Sequence, residues 1–174
     1  MFTISNLISF SRLLLSIPMW YFISNNMNLA AFLMGALAVL TDLLDGYMAR
    51  KLNQISEWGK VIDPVADKVF VGTTAVCLVL RGSVPLWFVL AVLARDGLIL
   101  LGGLYASTKI KMVIPSNYVG KAAVLVITAV MAFAIFDVTN IVNILVYVAT
   151  GALILSLAVY AKGMVDRLKK AKGN

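Results

Sequence analysis

Histidine is absent from this chain and cysteine occurs once, at Cys77. Without histidine there is no His-based catalytic triad, no His-ligated zinc and no imidazole proton shuttle. A single cysteine excludes an intrachain disulfide and a cysteine-cluster metal site. Charge is scarce too, at 13% of 174 residues, and only 8 residues are Asp or Glu against 15 Lys+Arg, for a net charge of +7. Any chemistry must therefore come from carboxylates, Lys and Arg, hydroxyls and backbone. Apolar residues fill the rest. They make up 61% of the chain, and the mean hydropathy is +0.96, where a soluble domain averages about 45–50% apolar residues. One core in so short a chain cannot hide that much apolar surface from water, so the composition predicts a membrane protein.

A helix needs about 20 apolar residues to cross the hydrocarbon core. Six stretches qualify, near 5–24, 29–50, 60–80, 84–106, 118–137 and 140–162. Together they predict an all-α polytopic protein with six transmembrane helices, a single domain over 1–174, and no room for a soluble catalytic domain. Short polar breaks separate the spans: Ser24-Asn25-Asn26, Arg81-Gly82-Ser83 with Pro85, and Asp137 to Asn140. Basic residues crowd the alternate connections. Arg50, Lys51 and Lys60 lie in one, and Lys109, Lys111 and Lys121 in another. Arg167, Lys169, Lys170 and Lys172 follow the last span, and Arg81 is the one charge of that sign on the other side. The positive-inside rule then puts both termini in the cytoplasm of an inner membrane. The basic tail reads as an anchor on an anionic leaflet. The N-terminus does not read as a cleaved signal peptide, because no basic stretch precedes the apolar run and Arg12 interrupts it. Nothing points to nucleic acid.

Ionisable residues inside spanning segments are costly and mark function by default. Four of the 8 acids, Asp42, Asp45, Asp63 and Asp67, lie close together near the cytoplasmic ends of two consecutive spans. Asp42 and Asp45 are spaced i, i+3, and Asp63 and Asp67 i, i+4, so each pair shares a helix face. Gly46 and Ala49 continue the first face, and Gly59 lies on the second. Antiparallel packing of the two spans would bring the carboxylates to one level. Four carboxylates side by side must be partly protonated or hold cations. An all-oxygen set suits Mg²⁺, Mn²⁺ or Ca²⁺, and four acids suit two metals about 3.5–4 Å apart, clamping a phosphoryl group. The small residues leave space for a bulky anionic ligand. A proton or cation pathway, or polar glue between helices, is the competing reading of the same acids. Pro64 is expected to kink or loosen the third helix.

Written out, Asp42-x2-Asp45-Gly46-x2-Ala49-Arg50-x8-Gly59-x3-Asp63-x3-Asp67 resembles the signature of the CDP-alcohol phosphotransferases. The resemblance implies a metal-dependent transferase of phospholipid biosynthesis. An acceptor hydroxyl attacks the lipid-side phosphorus of CDP-diacylglycerol and CMP leaves. It further implies that Asp42, Asp45 and Asp63 are metal ligands and that Asp67 is the general base, touching a second metal as well. The cofactor would be Mg²⁺ or Mn²⁺ in a two-metal site. Asp42, Gly46, Ala49, Arg50 and Gly59 would line the nucleotide site, and members of the family commonly form homodimers.

The acceptor is narrowed by two further stretches. Gly59-Lys60-Val61-Ile62-Asp63-Pro64-Val65-Ala66-Asp67-Lys68 resembles the form found in the phosphatidylglycerophosphate synthases and cardiolipin synthases of this family. Asn6-x2-Ser9-x2-Arg12 is similar to the opening of the same two groups. It either contacts the nucleotide end of the donor or is an interfacial cap with a snorkelling arginine. An anionic acceptor phosphate needs basic donors. The candidates are Arg95, Lys109, Lys111 and Lys121, with an Arg–Asp bridge between helices as the alternative for Arg95 and loop charge for the lysines. The expected acceptor is sn-glycerol 3-phosphate, with phosphatidylglycerol, giving cardiolipin, as the alternative. The stretch Gly102-Gly103-Leu104-Tyr105 lacks the second arginine common in the former group. A small cation or proton transporter is the competing class, but it would not need Arg50 and Gly59 at fixed offsets, and the inverted repeats it would carry are not found. A purely structural scaffold leaves four intramembrane carboxylates unexplained.

Overall fold

A computed structural model describes the backbone over residues 4–52, 59–110 and 118–172, and the side chains over 10–41, 66–104 and 118–167. It is all-helical, with six helices among the described residues: α1 (Ile4–Ser24), α2 (Asn28–Leu52), α3 (Gly59–Leu80), α4 (Leu86–Ile110), α5 (Tyr118–Ile135) and α6 (Thr139–Lys172). All six expected segments are helical. The largest departure is α6, which continues past the expected end near Lys162 to Lys172. Hydropathy marks where a span leaves the apolar layer. Helix ends depend on propensity, and the Met, Leu, Lys and Arg of this tail are all good helix formers. The helical backbone of α3 also continues through Pro64. This proline lies in the second turn, so whatever loosening it causes does not end the helix.

Among the described residues, three helical stretches are long and apolar enough to cross a membrane: Leu86–Leu104, Tyr118–Ile135 and Thr139–Arg167. Among the described residues, large apolar side chains are exposed in every helix. Ile17, Leu80, Leu125 and Tyr147 each leave 70–72% of their surface uncovered. Soluble monomers rarely show contiguous apolar patches of that kind, whereas lipid tails solvate them. The buried positions favour small residues, including Ala31, Ala66, Ala123 and Ala149, because helix association in lipid depends on close backbone approach rather than on expelling water.

The chain divides into two compact units. The first comprises Met1–Ser83 with Ile135–Asp137, and within it α1 packs against both α2 and α3. The expected level meeting of α2 and α3 falls between residues 42 and 65, whose side chains lie outside the described residues. In the second unit α4 packs against α6. There the buried stripe of α6 runs Val142, Val146, Ala149, Leu153, Ser156, with a helical 4-3-4-3 spacing.

Helices α1, α3 and α5 all end in a left-handed residue: Asn26 (φ 56°), Gly82 (φ 78°) and Asp137 (φ 56°). The N–H of the next residue reaches back five positions each time. Met27 donates to the Phe22 carbonyl at 2.8 Å, Ser83 to Leu78 at 2.9 Å and Val138 to Phe133 at 3.3 Å. This is the helix-ending motif that asparagine, glycine and aspartate accommodate at low steric cost. Arg81 ties these turns together within the first unit. Its Nε donates to Ser83 Oγ at 3.0 Å and its Nη1 to Asn28 Oδ1 at 3.0 Å. Its Nη2 donates to the Ile135 carbonyl at 2.8 Å and to Asp137 Oδ1 at 2.7 Å. Ser83 Oγ also donates to Asp137 Oδ1, at 2.7 Å. The basic residue that stood against the loop-charge asymmetry is thus a clasp for three turns. Arg81→Ala is expected to lower the melting midpoint in detergent by several degrees. The underlying loss is about 2–3 kcal/mol, since hydrogen bonds of a charged group are broken and acceptors are left behind. Arg81→Lys keeps the charge without the fork, and is expected to fall in between.

Candidate active site

On α1 the buried positions Arg12, Met19 and Ile23 follow a helical spacing, so the arginine occupies the core-facing stripe. Its residue surface is only 2% exposed. A snorkelling arginine would lift its head group toward water. This one turns inward, and its Nη1 donates to Asp67 Oδ1 on α3, forming an ion pair. The interfacial-cap reading of Arg12 is therefore corrected. A buried guanidinium needs compensation for its lost hydration, and at the seam between α1 and α3 the Asp67 carboxylate supplies part of it. On the α3 side, Ala66 and Phe70 are buried on either side of Asp67 in sequence. Asp67 keeps 44% of its own side chain exposed while Oδ1 holds Arg12. The carboxylate is thus restrained at Oδ1 while the side chain as a whole stays partly exposed.

The remaining members of the acid motif fall on regular helix. Asp42, Asp45, Gly46, Ala49 and Arg50 lie on α2, and Gly59 and Asp63 open α3. The helical backbone keeps Asp42 with Asp45, and Asp63 with Asp67, on shared faces. The side chains of Asp42, Asp45, Arg50 and Asp63, like that of Asn6 on α1, lie outside the described residues. Among the described residues no group of three or more potential metal ligands converges, and Asp67 is the one motif acid whose side-chain surroundings are described.

Of the four basic residues expected at an acceptor phosphate, all within the span of the second unit, Arg95 and Lys121 have described side chains. Arg95 on α4 donates from Nη1 to its neighbour Asp96 Oδ1 at 2.7 Å and from Nη2 to Ser156 Oγ on α6 at 2.5 Å. Its side chain is 12% exposed, and its buried Nε has no hydrogen-bond partner. The ion pair is thus made within α4, and the bridge between helices runs to a hydroxyl rather than to a second acid. Lys121 is exposed in the first turn of α5, 5.8 Å from the centre of the Tyr118 ring. The side chain of Lys109 and all of Lys111 lie outside the described residues.

Two residues that the motif reading did not single out complete the α4–α6 seam. Ser156 is fully buried, and Tyr160 Oη donates to the Ile99 carbonyl at 3.0 Å. Tyr160 lies over Gly102 and Gly103. A Cβ at Gly102 would sit 3.1 Å from Tyr160 Cε1, and one at Gly103 would sit 3.3 Å from its Oη. The glycine pair is accordingly where the ring packs. The available signal was the continuation of the apolar α6 stripe into a serine and a tyrosine.

Residues 2–160 match the model of the CDP-alcohol phosphatidyltransferase family. A protein of Aquifex aeolicus named CDP-diacylglycerol–glycerol-3-phosphate 3-phosphatidyltransferase is 32% identical over 166 residues, covering 94% of this chain and 92% of that protein. A Mycoplasma pneumoniae protein of the same name is 33% identical over 150 residues, which is 76% of this chain and 65% of that protein's length. A cardiolipin synthase (CMP-forming) of Streptomyces coelicolor is 44% identical over 71 residues, 41% of this chain and 33% of that protein.

Proposed function

We propose, given that the chain belongs to the CDP-alcohol phosphatidyltransferase family, that it transfers the phosphatidyl group of CDP-diacylglycerol to sn-glycerol 3-phosphate. The products would be phosphatidylglycerophosphate and CMP. The observation that carries the reading is Asp67: the last acid of the family motif is a partly exposed carboxylate, paired at Oδ1 with a buried arginine. The Aquifex relative named for this reaction matches along almost its whole length, which favours the glycerol-phosphate acceptor.

In this reading the acceptor hydroxyl attacks the lipid-side phosphorus. Asp67 takes the hydroxyl proton as the new P–O bond forms. The anhydride P–O bond breaks, and CMP leaves with its electron pair. Phosphoryl transfer depends on in-line placement and on neutralised oxygens more than on covalent help. Asp42, Asp45, Asp63 and Asp67 are an all-oxygen donor set of the kind that fits two Mg²⁺ or Mn²⁺ ions, and such ions, when bound, supply charge neutralisation at the diphosphate. Gly46, Ala49 and Gly59 give the nucleotide room, with Arg50 and the Asn6-to-Arg12 stretch nearby. Arg95, Lys109, Lys111 and Lys121 are the candidates for the acceptor phosphate. The diacyl chains stay in lipid while the head group enters a polar cavity facing the cytoplasm. The chain acts as one domain of six spans with both termini cytoplasmic in the inner membrane, and as a homodimer.

The second reading is transfer to phosphatidylglycerol, giving cardiolipin. Two observations favour it: the 44% identity to the Streptomyces cardiolipin synthase, and glycines at 102 and 103 that seat Tyr160 without a following arginine. Purified protein given labelled CDP-diacylglycerol and Mg²⁺ or Mn²⁺ is tested with glycerol 3-phosphate, phosphatidylglycerol, serine and inositol phosphate in turn. Phosphatidylglycerophosphate is the expected lipid product. Cardiolipin would establish the second reading, and no lipid product with any acceptor would overturn both.

A further inference from the structure

We propose that Arg12 is a positioning residue for Asp67, aiming the carboxylate at the acceptor hydroxyl, rather than a ligand of the donor. The inference rests on the transferase reading above and goes beyond it by assigning the α1 arginine. Three observations carry it. Arg12 lies on the buried stripe of α1 with Met19 and Ile23, pointing into the α1–α3 seam. Its Nη1 holds Asp67 Oδ1, joining residues far apart in the chain through two different helices. The Asp67 side chain nevertheless stays partly accessible, with 44% of its surface exposed.

The physical consequence concerns orientation. An aspartate on a helix rotates about two bonds, and a base that wanders loses the alignment on which proton transfer depends. A guanidinium on a rigid neighbouring helix removes that freedom at one oxygen and leaves the other to face the substrate. Partners of this kind behind a functional carboxylate or histidine commonly change activity or affinity by about 10–100-fold when removed. A serine or methionine at position 12 could fill part of the seam but could not hold an anion. This gives a reason for an arginine at a position where membrane burial is otherwise costly.

The test pairs Arg12→Met and Arg12→Lys with Asp67→Asn. Readouts are kcat, the KM for CDP-diacylglycerol, and direct binding of labelled CDP-diacylglycerol to detergent-purified protein. Arg12→Met is expected to lower kcat by about 10–100-fold with donor binding changed less than about threefold. Arg12→Lys is expected to recover part of the loss, because the cation is restored without the planar fork. In the Asp67→Asn background Arg12→Met is expected to cost nothing further in the residual rate, since the group it aims is gone. A tenfold weakening of donor binding by Arg12→Met in both backgrounds would overturn the proposal and make Arg12 a donor ligand. Full additivity of the two rate losses would overturn it as well. If Arg12→Met does not fold, Arg12→Lys and Arg12→Gln carry the same cycle. Wild-type turnover separates this inference from the reading beneath it. No product from the wild type with any acceptor overturns both, whereas an active wild type with additive variants overturns this inference alone.

Discussion

Asp67→Asn is expected to reduce CMP release from CDP-diacylglycerol to a small residual rate, about 10²–10⁴-fold below wild type, while leaving donor binding within a few-fold of wild type. The change is nearly isosteric, and the amide oxygen can still accept a hydrogen bond from Arg12, so the α1–α3 seam keeps its shape. What disappears is the proton acceptor and its negative charge. Removing a general base typically costs 10²–10⁴-fold, and here no histidine exists anywhere in the chain to substitute for it. The variant also leaves the buried Arg12 cation facing a neutral group. Asp67 is 44% exposed, so solvent offsets part of that loss, and the melting midpoint should fall without the fold being lost. The measurement is release of labelled CMP beside equilibrium binding of the same donor. A variant retaining more than a tenth of the wild-type rate would remove Asp67 from the role of base. A variant that no longer binds donor would make it a binding residue instead.

The periodicities in the sequence carried the reading a long way, and its failures have physical causes. All six helices were legible because apolar runs of membrane length are hard to mistake, and the turns between them because Asn26, Gly82 and Asp137 are residues that tolerate the left-handed conformation found there. The end of α6 was not legible from hydropathy, which marks where lipid stops rather than where helix stops. The grouping of Asp63 with Asp67 followed from spacing alone. The partner of Asp67 did not, because Arg12 lies on another helix and a single arginine in an apolar run reads equally well as a snorkelling cap. Only packing distinguishes a cation lifted toward water from one turned into a seam. In the same way the contacts of Ser156 and Tyr160 became visible only once α6 lay against Arg95, Gly102 and Gly103 on α4.

Removal of divalent cations is expected to reduce turnover by at least about 10³-fold, on the scale of losing preorganised charge stabilisation at a phosphoryl group. Added Mg²⁺ or Mn²⁺ is expected to restore it. The reason lies in how much negative charge the motif gathers in one place. Asp42, Asp45, Asp63 and Asp67 bring four carboxylates to two helix faces, and a nucleotide diphosphate would add more negative charge beside them. Against these, the α1–α3 seam supplies Arg12, whose Nη1 pairs with Asp67. Even with Arg50 of the motif added, two guanidiniums cannot balance four acids and a diphosphate, and carboxylates crowded together without enough counter-charge must take up protons, which would deprive the reaction of its base. Oxygen donors without histidine or cysteine select hard cations over zinc, so Zn²⁺ is expected to restore little. The readouts are the rate after chelation and re-addition, together with a thermal shift on titrating Mn²⁺ into enzyme free of substrate. Binding to the folded state alone stabilises by about 2.7 kcal/mol at a hundredfold excess over Kd. Asp42→Asn and Asp45→Asn should shrink that shift and raise the Mn²⁺ concentration needed for half-maximal rate, whereas Arg81→Ala should alter neither dependence. Turnover that persists undiminished in excess chelator would show that the acids work without cations, and the two-metal reading would be abandoned.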